Sequence, residues 1–470
     1  MQGFRMTQDI LMTKRTLLIF AILACTLPLL AQPMAPPPDV QGDWLGSLTL
    51  GNGLSLRLLF HIQNTPGGLT GTMDSVDQGA RGIPISSVAA QGGDVTINVT
   101  AIGGVFVGKF SADGSSIAGT WTQNAGRLPL TLSRVKDVAA ITARRPQMPT
   151  KPYPYLAEDV TFENKAAAIK LAGTITHPNG KGPFTAIVLI SGSGPQNRDE
   201  EIMEHKPFLV LADYLTRHGF EVLRVDKRGI GQSGGQFKGS TSADFAADAE
   251  AAVAFLKSRP EVARIGLIGH SEGGGIAPMV AARNKDVAFI VMLAGYGVSG
   301  ADLLPEQVRQ IALSSGAPEA GAEQAAAAQR DVLAIITGEK DLDTIRRKLT
   351  DKLKGTVPEA QLEATVNTMT SPWYRYFLAY NPATDLARLH IPVLALNGQL
   401  DRQVAPAQNL PAIRKALTDG DNKHFEIVEF PGLNHLFQTA KTGAVSEYAT
   451  IEETIAPQVL DKIATWINAN

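Results

Sequence analysis

Two kinds of hydrophobic spacing divide this chain. From about 40 to 135, apolar positions fall in short segments such as "LSLRLLFHI", "DVTINVTAI" and "GVFVGKFS". These are rich in β-branched and aromatic residues, and turn-forming runs such as "NTPGG", "GG" and "ADGSS" separate them. Such spacing predicts a small antiparallel barrel or sandwich over 40–136. An internal echo lies within it: "GTMDSVDQGARGIPI" from Gly71 resembles "GTWTQNAGRLPLTL" from Gly119. The opening "GDWLGSL" resembles the first strand of lipocalin-like barrels.

From Leu156 the rhythm changes. Strand-length apolar runs, "TAIVLIS", "FEVLRVD", "RIGLIGH", "VAFIVMLAG", "IPVLALNG" and "FEIVEF", alternate with helical stretches such as "HKPFLVLADYLTRHG". Continuous apolar strands between helices predict a mostly parallel sheet buried on both faces, an α/β domain over 156–470. "VTFENKAAAIKLAGTITHP" reads as an antiparallel hairpin added at its edge. Between "VMLAG" and "IPVLALNG" the chain is far longer than a crossover needs and strongly helical. That excess predicts a helical cap at about 299–388. "RRPQMPTKPYPY", with prolines at 146, 149, 152 and 154, marks an extended connector over 137–155.

Composition sharpens this picture at two points. The chain has 470 residues, a formal net charge of −2 and no basic run, so nucleic acid is not an expected partner. "MTKRTLLIFAILACTLPLLAQ" pairs Lys14 and Arg15 with an apolar run ending at Ala31. It reads as a secretory signal over 1–31, interrupted too soon by Pro28 for a stable membrane span. The expectation is a secreted or periplasmic protein. Cys25 is the only cysteine. It is read as apolar filler in preference to a lipoprotein anchor, because "TLPLLA" continues the apolar run. Cleavage after Ala31 would leave no thiol for a disulfide or a thiolate metal site.

Candidate chemistry centres on "RIGLIGHSEGGGI", where Gly-His-Ser-Glu-Gly joins a strand to a helix. The G-x-S-x-G spacing marks Ser271 as a nucleophile held on a tight turn. A serine needs a base, and the base an orienting acid. Of the histidines downstream, His390 and His424 precede strands, whereas His435 follows one in "FPGLNHLF". His435 therefore reaches the carboxyl end of the sheet, where Ser271 also lies, and is the expected base. Asp401 follows "IPVLALNG" in the same way and is the expected acid, ahead of Asp385 and Asp421. Oxyanion donors are expected from the N–H of Glu272 and from "GSGPQNRDE", with Ser193 first and Gly194 next. Trp373, Tyr374, Tyr376 and Phe377 of "SPWYRYFLAYNP", together with His270, are candidates for the substrate pocket.

Taken together, "SGSGPQNRDE", "VDKRGIGQSGG", "IGLIGHSEGG", "SPWYRYFLAYNP", "NGQLDRQV" and "PGLNHLFQ" resemble the α/β-hydrolase superfamily. More narrowly, they are similar to its secreted bacterial carboxylesterase-like branch, related to serine aminopeptidases and acyl-thioesterase-type hydrolases. The resemblance implies an α/β-hydrolase fold and esterase-type acyl transfer, with Ser271, Asp401 and His435 as the triad. It implies no metal or cofactor, and a small-molecule ester or related acyl compound as substrate. In such proteins the loop matching Asp226 to Ser233 is structural, so Asp226, Lys227 and Arg228 are expected to brace neighbouring loops, with Arg198 and Asp199 joining them. A peptidase, an acyl-thioesterase, a carbohydrate esterase and a non-catalytic ligand-binding protein remain open alternatives. The oligomeric state is not legible.

Overall fold

The computed structural model describes residues 39–49, 55–78, 80–123, 126–138, 141 and 145–470. The expected signal segment and Cys25 lie outside the described residues.

The first layer is a nine-stranded antiparallel sheet in the order β4-β3-β2-β1-β9-β8-β7-β6-β5. Its strands are β1 (Gly42–Thr49), β2 (Ser55–Thr65), β3 (Gly68–Ser75), β4 (Ala80–Pro84), β5 (Ser87–Gln91), β6 (Asp94–Val99), β7 (Gly104–Phe110), β8 (Ser116–Gln123) and β9 (Gly126–Val135). β4 and β5 are consecutive in the chain but sit on opposite edges, so the sheet must curl into a half-barrel. Around the bend, Ile85 N donates to Gly71 O at 3.0 Å and Ser86 N to Asn98 O at 2.7 Å. Alternation drives the curl: Val95, Ile97 and Val99 of β6 all face inward. They meet Trp44, Phe60, Met73, Phe106 and Trp121, which fill the interior with side chains. The two echoing segments prove to be hairpins, β3–β4 and β8–β9, with Met73 and Trp121 buried at matching positions of the first strand of each.

The second sheet has eight strands in the order β10-β11-β13-β12-β14-β15-β16-β17. They are β10 (Leu156–Asn164), β11 (Ile169–His177), β12 (Phe184–Ile190), β13 (Glu221–Val225), β14 (Val262–His270), β15 (Val287–Leu293), β16 (Val393–Gly398) and β17 (Phe425–Phe430). β10 and β11 form the expected antiparallel edge hairpin, and β12 to β17 run parallel. Helices α1 (Pro207–Arg217) and α11 (Pro457–Ala469) cover one face. Helices α2 (Ser242–Lys257), α3 (Glu272–Ala281) and α10 (Pro406–Asp419) cover the other. After β12 the chain turns one way to β13 and then the other way to β14. This reversal opens a crevice at the strands' carboxyl ends, where ligands bind in such sheets.

Between β15 and β16 stands the cap: α4 (Gly300–Ser314), α5 (Glu319–Thr337), α6 (Leu342–Leu353), α7 (Glu359–Met369), α8 (Pro372–Ala379) and α9 (Ala383–Leu386). Ser299, Asp341 and Ser371 cap α4, α6 and α8 through their side chains. The cap has its own small core, including Leu333, Ile345, Leu349 and Val366.

The connector is seated on the second domain. The Arg145 guanidinium donates to the carbonyls of Met203 and Ala449 at 2.9 Å and of Ile451 at 3.1 Å. Gln147 Oε1 accepts from the N–H groups of Thr454 and Ile455 at 2.6 and 3.0 Å.

Candidate active site

Ser271 sits between β14 and α3 with φ 53° and ψ −115°, a conformation that L residues rarely adopt. Backbone proximity dictates the glycines around it. A Cβ on Gly269 would lie 2.0 Å from Gly273 O, and one on Gly273 would lie 2.0 Å from Ile190 O. Only glycine allows the helix to start this close to β14, which precedes it, and to the end of β12 beside it. Ser271 N donates to Leu293 O at 2.9 Å, which fixes the turn against β15. The hydroxyl makes no hydrogen bond among the described residues.

Asp401 and His435 come from the loops after β16 and β17. Their Oδ2 and Nδ1 atoms are 2.8 Å apart, and both residues are buried. Asp401 Oδ1 accepts from the N–H groups of Gln403 and Val404, each at 2.8 Å, so every direction of the carboxylate is set. Asn434 braces the histidine loop, accepting through Oδ1 from Leu436 N at 3.0 Å and Gln438 N at 2.9 Å. The two loops touch directly, with Leu400 N donating to Leu433 O at 2.8 Å. The rival histidines, His390 and His424, are exposed near the amino ends of β16 and β17. Asp385 instead pairs with Tyr380 and Arg388, and Asp421 pairs with Lys423 at the surface.

The oxyanion candidates occupy the same rim. Glu272 opens α3, where N–H groups are unsatisfied by the helix itself. The N–H of Ser193 has no partner among the described residues, and Gly194 follows it with φ 90°. Ser193 and Gly194 also line a cavity of about 610 Å³. Residues 237–240 and the cap residues Ala364, Asn367, Thr368, Ser371 and Trp373 complete its walls.

Of the aromatic pocket candidates, Trp373 lines this cavity. It stacks on Phe377 at 5.5 Å, and its Nε1–H donates to Glu272 Oε1 at 2.7 Å. The other candidates lie elsewhere. Tyr374 packs into the cap core, Tyr376 lies over Met279 of α3, and Phe377 is buried against Tyr296. His270 points beneath the site: its Nδ1 is 3.0 Å from Glu200 Oε1, and its Nε2 is 3.1 Å from the carbonyl of His435. Burial alone would lower its basicity. The Glu200 charge and hydrogen bond outweigh that and hold it above the ordinary histidine value.

The loop around 226–228 braces its neighbours as expected. Asp226 takes the Arg198 guanidinium at 2.7 Å, Arg228 binds Asp248 at 2.7 Å, and Asp199 pairs with Arg224. Sequence reasoning missed Glu200. It adopts a left-handed conformation with φ 51°, and its Oε1 accepts from Gly192 N at 2.5 Å as well as facing His270. That non-glycine backbone strain is visible only in three dimensions.

Residues 204–353 match the family profile described as "Serine aminopeptidase, S33". Residues 342–456 match the prolyl oligopeptidase family profile. The esterase EstD of Thermotoga maritima is 26% identical over 339 residues, covering 72% of this chain and 75% of that protein. Among solved structures, the Pyrococcus furiosus esterase Pf2001 aligns at 15% identity over 70% of this chain and 97% of its own, with a TM-score of 0.44. Est1E from Butyrivibrio proteoclasticus, solved with ferulic acid bound, aligns at 17% identity over 66% and 98%, with a TM-score of 0.40. Parallel strands β12 to β17 under a helical cap, with a strained serine at a strand-to-helix turn, give the chain an α/β-hydrolase type of fold, and in sequence it is similar to the serine aminopeptidase and prolyl oligopeptidase profiles and to the esterase EstD.

Proposed function

We propose that this protein is an exported serine hydrolase that cleaves carboxylic esters through an acyl-enzyme. The contact between Asp401 Oδ2 and His435 Nδ1 at 2.8 Å, on the rim that carries Ser271, is the observation on which this reading rests. Likeness to EstD adds support for an ester substrate. The export assignment rests on the basic and apolar N-terminal sequence.

In this scheme His435 Nε2 removes the hydroxyl proton as Ser271 Oγ attacks the ester carbonyl carbon. This hydrogen bond is not made in the structure and forms in the reactive complex, as catalytic hydrogen bonds often become well aligned only there. Asp401 holds the imidazole with Nδ1–H toward itself and stabilises the imidazolium. The N–H groups of Glu272 and Ser193, with Gly194 alongside, receive the oxyanion. His435 returns the proton to the departing alkoxide, the alcohol leaves, and water repeats the sequence to free the acid. The cavity beside Ser193 accommodates one substituent of the ester, with Trp373 as its cap-side wall.

Replacing Ser271 by Ala should lower turnover by about 10⁴-fold or more while the protein stays folded. A fluorophosphonate should label the unaltered protein at Ser271 alone. Retained ester hydrolysis by Ser271→Ala would exclude the scheme. A second reading, a peptidase with the same residues, draws on the aminopeptidase and prolyl oligopeptidase profile matches. Matched p-nitrophenyl esters, aminoacyl anilides and acyl-thioesters distinguish the two: faster turnover of the anilides would favour the peptidase.

A further inference from the structure

Lys227 is a charged side chain that the scheme above does not use, yet it is buried, with 7% of its side chain exposed. Burying an ammonium is costly unless every proton is matched. Its Nζ donates to Gly192 O at 2.6 Å, lies 3.4 Å from Glu272 Oε2, and stands 4.5 Å from the Phe245 ring. Gly192 O and Ser193 N–H belong to one planar peptide unit, pointing in opposite directions. Whatever holds the carbonyl therefore aims the N–H. The preceding peptide is held as well, because Gly192 N donates to Glu200 Oε1 at 2.5 Å.

The same ammonium reaches the other oxyanion donor through its side chain. Glu272 Oε2 faces Lys227, while Oε1 accepts from Ser242 Oγ and Trp373 Nε1–H, both at 2.7 Å. One buried cation thus fixes the peptide of Ser193 and anchors the residue that supplies the second N–H.

We infer that Lys227 is a positioning residue for the oxyanion hole: it orients and polarises the Gly192–Ser193 peptide so that Ser193 N–H points at the developing negative charge. This rests on the serine hydrolase reading. A bond to the carbonyl strengthens the N–H as a donor, and a fixed dipole needs no reorientation as charge develops. The effect belongs to the transition state, so it lowers the barrier without tightening substrate binding.

The test is Lys227→Met, which keeps the length of the side chain and removes the donor. With p-nitrophenyl acetate, kcat should fall about 10- to 100-fold while KM changes less than about twofold. The rate of fluorophosphonate labelling at Ser271 should fall in parallel. The double variant Lys227→Met/Glu272→Gln removes both buried charges, so it remains informative should the single variant misfold. If Lys227 serves only to neutralise Glu272, the double variant should regain wild-type kcat; if it aims the peptide, the double variant stays slow. A folded Lys227→Met with kcat within twofold of wild type, or full recovery in the double variant, overturns the proposal. Absence of both hydrolysis and labelling in the unaltered protein would remove the serine hydrolase reading itself, a result distinct from active protein with an indifferent Lys227.

Discussion

At the scale of single residues, the proposed chemistry depends on saturation. Asp401 accepts three hydrogen bonds, two from backbone N–H groups and one from His435. Asp401→Asn keeps an oxygen for Gln403 and Val404 but turns an amide N–H toward His435. The imidazole must then present its lone pair to that amide and carry its proton on the side facing Ser271, where it cannot act as a base. The expected outcome is a native-like circular dichroism spectrum with kcat lowered about 10⁴-fold, measured on any ester that the unaltered protein turns over. Much of this site was legible in the sequence. Gly-His-Ser-Glu-Gly has few structural solutions, and placement after a strand separates His435 from His390 and His424. What was not legible is the support beneath it. Glu200 and His270 are 70 positions apart, and Lys227 and Gly192 are 35 apart. Such pairs have no spacing signature, because the fold alone decides which loops meet.

At the scale of elements, the cap and the catalytic rim share a hydrogen bond. α8 carries Trp373 to Glu272, the residue after the candidate nucleophile, and the indole also walls the cavity. Trp373→Phe preserves stacking on Phe377 but removes the donor, leaving Glu272 Oε1 with Ser242 alone. This should destabilise the junction of cap and core by about 1–2 kcal/mol, read as a lower Tm, with faster amide exchange in α8. The strands, the edge hairpin and the cap's existence were all readable from periodicity and length. Which aromatic of "SPWYRYFLAYNP" meets the cavity was not. Four neighbouring rings on one helix point around its circumference, and only docking of the cap selects Trp373 over Tyr374, Tyr376 and Phe377.

At the scale of the whole molecule, two buried titratable groups that the proposed reaction does not use oppose each other in pH. Glu221, fully buried at the start of β13, has no hydrogen-bond partner on either oxygen among the described residues, and Arg259 Nε lies 3.7 Å from its Oε1. Burial, partly offset by Arg259 and reinforced by Glu261 and Glu158, raises it from 4.5 to about 7. Its contribution to stability is therefore greatest below pH 4.5 and is lost as pH rises toward about 7. His205, buried between Thr454, Gln438 and the carbonyl of Tyr448, is pushed by burial and by Arg145 from 6.5 down to about 4. Its contribution is complete above pH 6.5 and is lost as pH falls toward about 4. Glu221→Gln should be more stable than the parent near about pH 8, by up to about 3 kcal/mol, with the gain vanishing near about pH 4. Urea denaturation at both ends of that range checks it, and equal stabilities at the alkaline end would contradict the burial argument.

The seating of Arg145 and Gln147 has a mechanical side. They bind the stretch at 449–455, and the adjacent Tyr448 hydroxyl accepts from Gln403, whose own N–H rests on Asp401. The connector is thus seated on the same block of chain that surrounds Asp401. Loosening either side chain would slacken the loop that carries that carboxylate, much as a loose footing lets a post lean.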